Sequence, residues 1–261
     1  MRSYELSVSK LGVRLDFAAL NLPIIFPPGH EKFFQPVSIS QAELSVNAGI
    51  NHLYLTYQTS FLGQLTDTMV FRSETWEFGK DGAGYQIFYA PYQVPPCKVV
   101  INQDYSSGYI YSKLSPSASE IMYPLQNLEI RIFSAWLATF GDLILHASGV
   151  LLKDGGYCFI GESGAGKSTL AATLAASDDI TILGEDQVIL RYLDGRFWIF
   201  GTPWHLDPTM CSPLGAPLEK VFFLDRALPP GVESIKPAEG VTRVLQTAFV
   251  PYYLPEYLPG I

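Results

Sequence analysis

Apolar and polar positions alternate differently in the two halves of the chain. Residues 1–122 are rich in Tyr, Phe, Thr and Val, and prolines such as Pro27–Pro28 and Pro95–Pro96 interrupt the apolar runs. Runs of this composition, bounded by turn residues, are typical of short strands. Asp81–Gly82 lies between two of them and predicts a hairpin, because Asp-Gly suits a tight turn with positive φ. The sequence therefore predicts a β-rich N-terminal domain over residues 1–122.

A helical period follows over residues 123–140, where apolar side chains fall on one face. Beyond it, strand-like runs and turns succeed one another, and a second hairpin is predicted at Asp194–Gly195. Another helical pattern begins with a proline and covers residues 237–249. Hairpins among the strands exclude a purely alternating β-α-β order. We therefore expect residues 123–261 to form an α/β domain with a mixed sheet.

The segment from Gly161 to Ser168 has the spacing of a phosphate-binding loop, in which a Gly and four residues precede Gly-Lys-Ser. Glycines let the chain turn tightly enough to aim several backbone N–H groups at one polyphosphate. An apolar strand precedes the loop and a helix-forming run follows it, so the helix N-terminus would lie under the phosphates. Lys167 would reach the β- and γ-phosphates, and the Ser168 hydroxyl would bind Mg²⁺. The predicted nucleotide-binding residues are Gly161, Glu162, Ser163, Gly164, Ala165, Gly166, Lys167, Ser168 and Thr169.

Two carboxylates follow the next apolar strand. The run Ile180–Leu183 is succeeded by Gly184, Glu185 and Asp186, at the place where a nucleotide-binding sheet carries its carboxylates. One acid would bind Mg²⁺, directly or through water, and the other would accept the proton of an attacking hydroxyl. A solvent-facing acidic turn without function is the alternative.

Two histidines and two arginines are further candidates. His146 lies in an apolar strand before the loop, where a lone histidine is more often a structural core residue than a functional one. His205 follows Thr202–Pro203, a rigid turn that would aim it into a cleft, and a purely structural turn is the alternative. Arg226 and Arg243 are candidates for contact with the transferred phosphoryl group, although surface arginines are common.

Composition narrows the classes of function. The 261 residues are 48% hydrophobic and 16% charged, and their formal net charge of −8 argues against binding to nucleic acid. No apolar run approaches the roughly 18 residues of a membrane helix, and the N-terminus lacks a signal-peptide core. Cys97, Cys158 and Cys211 have no metal-like spacing, so we expect reduced thiols. These features predict a cytoplasmic protein that binds neither nucleic acid nor membranes.

His146, the loop and the Glu185–Asp186 pair, in this order, resemble the catalytic domain of HPr kinase/phosphorylase. The nucleotide fold of that family is similar to that of phosphoenolpyruvate carboxykinase. The stretches 201–205 and 221–226 resemble HPr-kinase-related proteins, several of which accompany peptide-modification systems. The resemblance implies a P-loop kinase domain of the HPr kinase/carboxykinase type, preceded here by the β-rich domain.

The resemblance also implies roles for single residues. Asp186 matches the general base toward a serine hydroxyl, and Glu185, which replaces an aspartate of that family, matches a residue near the metal. The predicted catalytic residues are thus Asp186, His146 and Lys167, and the predicted metal ligands are Ser168 and Glu185. The glycine-rich signature linked to phosphorolysis is not visible after the acidic pair, so the resemblance carries kinase activity and not phosphorylase activity.

The expected activity is ATP- and Mg²⁺-dependent transfer of the γ-phosphoryl group to a serine-type hydroxyl of a protein or peptide. Two alternatives stay open: a kinase for a small molecule such as free serine or a sugar, and a non-catalytic nucleotide-sensing adaptor. The sequence does not decide between ATP and GTP. Members of the family assemble as hexamers, and a homo-oligomer is an expectation from the resemblance alone.

Overall fold

The computed structural model describes residues 3–17, 22–37, 51–58, 69–112, 118–153, 155–205, 207–226 and 231–260. In these residues the protein has mixed α/β content in which strands predominate, which confirms the predicted class in its coarse form. The chain divides into two compact units, Met1–Pro27 with Phe34–Trp136 and Pro28–Phe33 with Leu137–Ile261. This division lies further along the chain than the compositional change at residue 122.

The first unit is built on one large sheet. Its strands are β1 (Ser3–Val8), β2 (Leu11–Asp16), β4 (Phe34–Val37), β5 (Asn51–Gln58), β6 (Met69–Arg72), β7 (Glu77–Lys80), β8 (Gln86–Ala90), β9 (Cys97–Ile101) and β10 (Ser107–Ser112). Within the described part of the chain they form a nine-stranded sheet in the order β4-β1-β2-β5-β10-β9-β8-β7-β6. Two short strands, β3 (Ile24–Ile25) and β11 (Ile121–Met122), pair separately. Residues 1–122 are β-rich in this sense, as predicted.

Two local predictions for this part of the chain need refinement. The predicted hairpin joins β7 and β8, but its loop extends from Asp81 to Tyr85, and the positive φ is at Gly84 rather than at Asp81 or Gly82. The helix expected over 123–140 is shorter, since α1 covers Glu129–Ala138. Pro124 therefore lies in a turn before the helix.

The second unit is built on a mixed sheet. Its strands are β12 (Leu143–His146), β13 (Ser148–Leu152), β14 (Gly155–Ile160), β15 (Thr181–Gly184), β16 (Gln187–Leu193), β17 (Arg196–Gly201) and β18 (Gly215–Phe223). Among the described residues the sheet has seven strands in the order β12-β16-β17-β18-β14-β13-β15. Neighbours are antiparallel except β14 and β18, which run parallel. The expectation of a mixed sheet is confirmed.

Alternate residues of β14 contribute to two hydrophobic clusters, because successive side chains of a strand point to opposite faces. Tyr157 and Phe159 pack in a cluster with Ala171 and Leu174 of α2 (Lys167–Leu174). Cys158 and Ile160 belong to the other cluster, against which Val244 of α3 (Pro237–Gln246) packs. The strand that leads into the loop is therefore covered on both faces, which fixes where the loop begins.

The helix predicted over 237–249 ends early. It stops at Gln246, and the next three residues pair with β12: the N–H of His146 donates to Thr247 O at 2.8 Å, and the N–H of Phe249 donates to Ile144 O at 2.8 Å. β12 is the outermost strand of the sheet, and an unpaired edge exposes backbone groups that need partners. The backbone hydrogen bonds formed at this edge stabilise the chain more than one further turn of helix would.

Two further expectations can be compared with the structure. All three cysteines are buried and unpaired, as expected for reduced thiols. In the part of the chain that the structure describes, no helix has the length and apolar content needed to span a membrane.

Candidate active site

The loop between β14 and α2 has the conformation that its glycines permit. Gly164 and Gly166 have φ of 81° and 105°, a left-handed region that disfavours residues with a Cβ. Gly161 is close to the chain on both sides, since a Cβ there would lie 2.8 Å from Ala165 Cβ and 3.1 Å from Leu224 O. Glycine is thus required at three points of the loop, and the loop ends directly at the N-terminus of α2.

Lys167 is the first residue of α2 and is buried. Its ammonium group donates to the carbonyl oxygens of Gly161, at 2.8 Å, and Glu162, at 3.3 Å. A lysine has three N–H donors, so a further donor is available to an anion beside the loop. The lysine thereby ties the start of the loop to its end and places a positive charge inside the turn.

Strand register brings the acidic pair level with the loop. Gly149 of β13 pairs with Cys158 of β14 on one side and with Gly184 of β15 on the other. Because β14 and β15 are both antiparallel to β13, they run in the same direction and end at the same edge of the sheet. The loop follows β14 and the pair Glu185–Asp186 follows β15, so both leave the sheet at this edge.

His146 contacts Asp186 directly. Nδ1 of His146 lies 3.1 Å from Oδ1 of Asp186, and the side chains are 41% and 47% exposed, respectively. The backbone holds the two residues together as well, since the N–H of Ala147 donates to Asp186 O at 3.0 Å. Both groups are therefore accessible to a ligand while their relative position is fixed.

A cavity of about 820 Å³ lies at this edge of the sheet. Its lining includes the loop residues from Gly161 to Ala165, the end of β18, the C-terminal part of α3 and the side chain of His146. Small-molecule sites occupy roughly 300–1,000 Å³. The cavity is thus large enough for a nucleotide, and its lining includes His146 and the loop residues from Gly161 to Ala165 among those that the sequence singled out.

The two candidate arginines line the same cavity. Arg226 lies against the loop, because a Cβ on Gly166 would come within 3.1 Å of its Nη2. Arg243 is held by Glu239, one helical turn earlier, at 2.6 Å, and its guanidinium lies 5.4 Å from the centre of the Phe223 ring. The cavity therefore receives positive charge from both arginines and from the loop.

Glu185 has negatively charged neighbours. Partial burial raises the pKa of its carboxyl group, and the negative charges of Asp207 and Asp186 raise it further. The ionised form of such a carboxyl group is disfavoured, and a bound cation would stabilise it. Magnesium in nucleotide sites is held by one or two protein ligands together with phosphate and water, and Ser168 and Glu185 fit that donor set. Within the described ranges, no group of three or more His, Cys, Asp or Glu side chains could hold a metal by itself.

His205 does not line the cavity, and neither do Lys167, Ser168, Glu185 and Asp186. Its ring packs over Gly184, where a Cβ would lie 2.7 Å from Cε1 and Nε2, and Nε2 is 3.1 Å from the Thr202 hydroxyl. Burial lowers the pKa of His205 to about 4. The ring is therefore neutral at physiological pH and lies beneath the acidic turn, where it contacts Gly184 and Thr202. The expected contact with substrate or phosphate stays a prediction.

Sequence reasoning missed several residues of the site. Thr247 holds the backbone of His146, Leu224 O adjoins the first glycine of the loop, and the backbone N–H of Asp207 bonds to the Glu185 carboxylate. None of these contacts has a signal in its own stretch of sequence, because each joins segments that are far apart in the chain.

Comparison with known protein families and curated proteins identified no relative of this chain. No protein-family model matches the chain, and none of the curated proteins is similar enough in sequence to count as a match. The likeness to HPr kinase/phosphorylase therefore rests on the residues of the loop, the acidic pair and His146.

Proposed function

We propose that this protein is an ATP- and Mg²⁺-dependent kinase that transfers the γ-phosphoryl group to a serine-type hydroxyl of a protein or peptide. The observation that carries the proposal is that His146 lines the same cavity as the glycine loop while its imidazole contacts the Asp186 carboxylate. A phosphate-binding loop alone supports nucleotide binding. A carboxylate held by a histidine that lines the same cavity supports transfer.

The loop binds the phosphates in this proposal. Its backbone N–H groups and the N-terminus of α2 supply partial positive charge, and Lys167 supplies a full one. Ser168 and Glu185 would hold the Mg²⁺ ion, which when bound neutralises charge on the β- and γ-phosphate oxygens. The domain would then be a P-loop kinase domain of the HPr kinase/carboxykinase type.

Asp186 is the base in this proposal. It accepts the proton of the acceptor hydroxyl while the acceptor oxygen forms a bond to the γ-phosphorus. The bond from the γ-phosphorus to the β–γ bridging oxygen breaks, and ADP leaves with that electron pair. His146 contacts one oxygen of Asp186, and the other, which the Gln187 amide approaches at 3.5 Å, would accept the proton of the incoming hydroxyl.

Arg226 and Arg243 stabilise the phosphoryl group as it moves. Charge spreads over its equatorial oxygens in the transition state, and fixed cations at such positions contribute more than the same cations in water. Arg226 lies against the loop beside Gly166, which supports a contact with the phosphates. Arg243 lines the same cavity from α3, which supports a contact with the transferred phosphoryl group.

The exposure of Asp186 and His146 bears on the acceptor. Side chains that are 47% and 41% exposed can be reached by a hydroxyl presented from outside, as on a peptide. A small-molecule kinase usually encloses its acceptor more completely. This difference favours a protein or peptide acceptor over free serine or a sugar.

The proposal is tested with labelled ATP, Mg²⁺ and a panel of acceptors. Serine-containing peptides, products of neighbouring genes, free amino acids and sugars would each be incubated with the protein, and the label followed. We expect transfer to a peptide or protein. Transfer only to a small molecule would assign the alternative acceptor, and nucleotide binding without transfer to any acceptor would favour the adaptor.

A further inference from the structure

A buried hydrogen-bonded pair lies under the acidic turn. Thr202 has no exposed surface, and its hydroxyl donates to Gln187 O at 2.8 Å. Nε2 of His205 lies 3.1 Å from the same hydroxyl oxygen. A hydroxyl has one hydrogen to donate, and here Gln187 receives it. The Thr202 oxygen then accepts from His205, which assigns this histidine to the tautomer with hydrogen on Nε2 and leaves its buried Nδ1 without a hydrogen-bond partner.

The ring of His205 also reaches the other end of the turn. It packs directly over Gly184, the residue before the acidic pair, at a distance that leaves no room for a Cβ. Through Thr202 it acts on Gln187, the residue after the pair. His205 therefore restrains both flanks of Glu185–Asp186 without touching the cavity.

The carbonyl groups of the turn are held one after another. Glu185 O accepts from the Ser148 hydroxyl at 2.5 Å, and Asp186 O accepts from the N–H of Ala147 at 3.0 Å. Gln187 O accepts from Thr202. With consecutive peptide groups fixed in this way, the direction in which the Asp186 side chain leaves the backbone is fixed too.

We propose that His205 and Thr202 are positioning residues for the Asp186 carboxylate. This inference rests on the kinase function proposed above, and it assigns the pair no contact with nucleotide or acceptor. A displacement of about 1 Å at a reacting group can lower turnover by roughly 100-fold. Loss of the pair should therefore lower kcat and leave nucleotide affinity unchanged.

The test uses two isosteric pairs of variants in the full chain. Thr202→Val removes the hydroxyl and Thr202→Ser retains it, while His205→Leu removes the donor and His205→Gln retains an N–H near the position of Nε2. We expect Thr202→Val and His205→Leu to lower kcat about 10- to 100-fold with the KM for ATP within about twofold. Thr202→Ser and His205→Gln should retain most of the turnover. Thr173→Val, which removes an exposed hydroxyl that donates to Thr169 O within α2, is the matched control and should be unchanged.

A double-mutant cycle separates positioning from general destabilisation. In the Asp186→Asn background Thr202→Val should cause no further loss of kcat, because the group that it positions is already gone. An equal loss in both backgrounds would overturn the proposal, and so would unchanged kcat in Thr202→Val. Urea unfolding of each variant identifies those that are folded during the assay.

The hydrogen-bonded pair can be tested without any transfer assay. Nitrogen-15 NMR of the histidine side chains distinguishes the two neutral tautomers, and we expect His205 in the wild type to carry its hydrogen on Nε2. A hydrogen on Nδ1 would overturn the positioning role whether or not the protein is a kinase. Absence of transfer by the wild type, with the Nε2 tautomer present, would instead count against the kinase function and, with it, against the inferred role of the pair in turnover.

Discussion

Nδ1 of His146 lies 3.1 Å from Oδ1 of Asp186, although forty residues separate the two in the chain. The contact arises because the strand pair β12–β16 ends at His146 and Gln187, and the backbone bond from Ala147 to Asp186 continues it. A histidine beside a carboxylate restricts the rotation of that carboxylate. The pair is the centre of the proposed chemistry, since its histidine lines the same cavity as the loop that would hold the phosphates.

Asp186→Asn should retain nucleotide binding and lose most turnover. The amide keeps the shape of the side chain but accepts no proton, and loss of a general base lowers rates by roughly 10²–10⁴-fold. The measurement is kcat together with the affinity for a fluorescent nucleotide. Asp194→Asn is the matched control, because Asp194 lies at an exposed hairpin with φ of 52°, a conformation that asparagine tolerates. Unchanged turnover in Asp186→Asn would remove the base from the mechanism.

Lys167→Ala should abolish nucleotide-dependent transfer. The change removes the charge inside the turn and also the two bonds from the ammonium group to Gly161 O and Glu162 O. We expect weaker nucleotide binding as well, measured by titration calorimetry. The control is Lys153→Ala, where an 82% exposed lysine forms a surface ion pair with Asp179 and its loss should matter little. Full transfer by Lys167→Ala would exclude the loop as the phosphate site.

Gly166→Ala should lower stability and activity together. A residue with a Cβ at φ of 105° is strained by about 1–2 kcal/mol, and the added methyl group displaces the Arg226 guanidinium. Gly195→Ala imposes similar strain at φ of 80°, with no heavy atom within 4 Å of the new Cβ. It should lower the free energy of unfolding by a similar amount and leave kcat unchanged. If the loss of kcat in Gly166→Ala is as large in an Arg226→Gln background, Arg226 is not the group affected.

The stability of the protein should fall below neutral pH in a way that depends on His205. Burial lowers the pKa of this histidine from 6.5 to about 4, with the charge of Asp186 opposing the shift and those of His30 and Lys32 adding to it. Between pH 6.5 and pH 4, His205 is protonated in the unfolded chain and neutral in the folded chain. The free energy of unfolding therefore falls as the pH falls. The stabilisation is fully present above pH 6.5, and about 2 kcal/mol of it is lost by pH 5. Urea unfolding at pH 7 and pH 5 measures the loss.

His205→Gln provides the comparison for this pH dependence. Glutamine does not titrate, so the variant should lose less stability between pH 7 and pH 5 than the wild type. Equal losses in the two proteins would show that His205 is not held neutral in the folded state.

Features encoded within a short stretch could be predicted from the sequence. The loop from Gly161 to Ser168 is contiguous, and the strand and helix beside it follow from adjacent residues. The Asp194–Gly195 turn is of the same kind, with positive φ at both positions as expected for a tight hairpin. Local composition was sufficient to predict each of these features, because their conformations depend on residues that are adjacent in the chain.

Features that depend on distant segments could not be predicted. The helical pattern over 237–249 gave no sign that its last residues pair with β12, which depends on the position of that strand at the sheet edge. The burial of His205 follows from Gly184, which leaves space for a ring above the sheet. Sequence spacing also gave no distance between His146 and Asp186, since a shift of one residue in strand register would separate them.

The pairing of Thr247–Phe249 with β12 has a consequence for biosynthesis. The loop and the acidic turn leave the ribosome long before these residues do, and pairings between distant segments form late. Until Thr247 has been made, the backbone N–H of His146 lacks the carbonyl group that it bonds in the folded protein. A nascent chain that ends before Thr247 thus already contains the loop and both members of the histidine–aspartate pair, while the outer edge of β12 beside His146 stays unpaired until synthesis has passed this point.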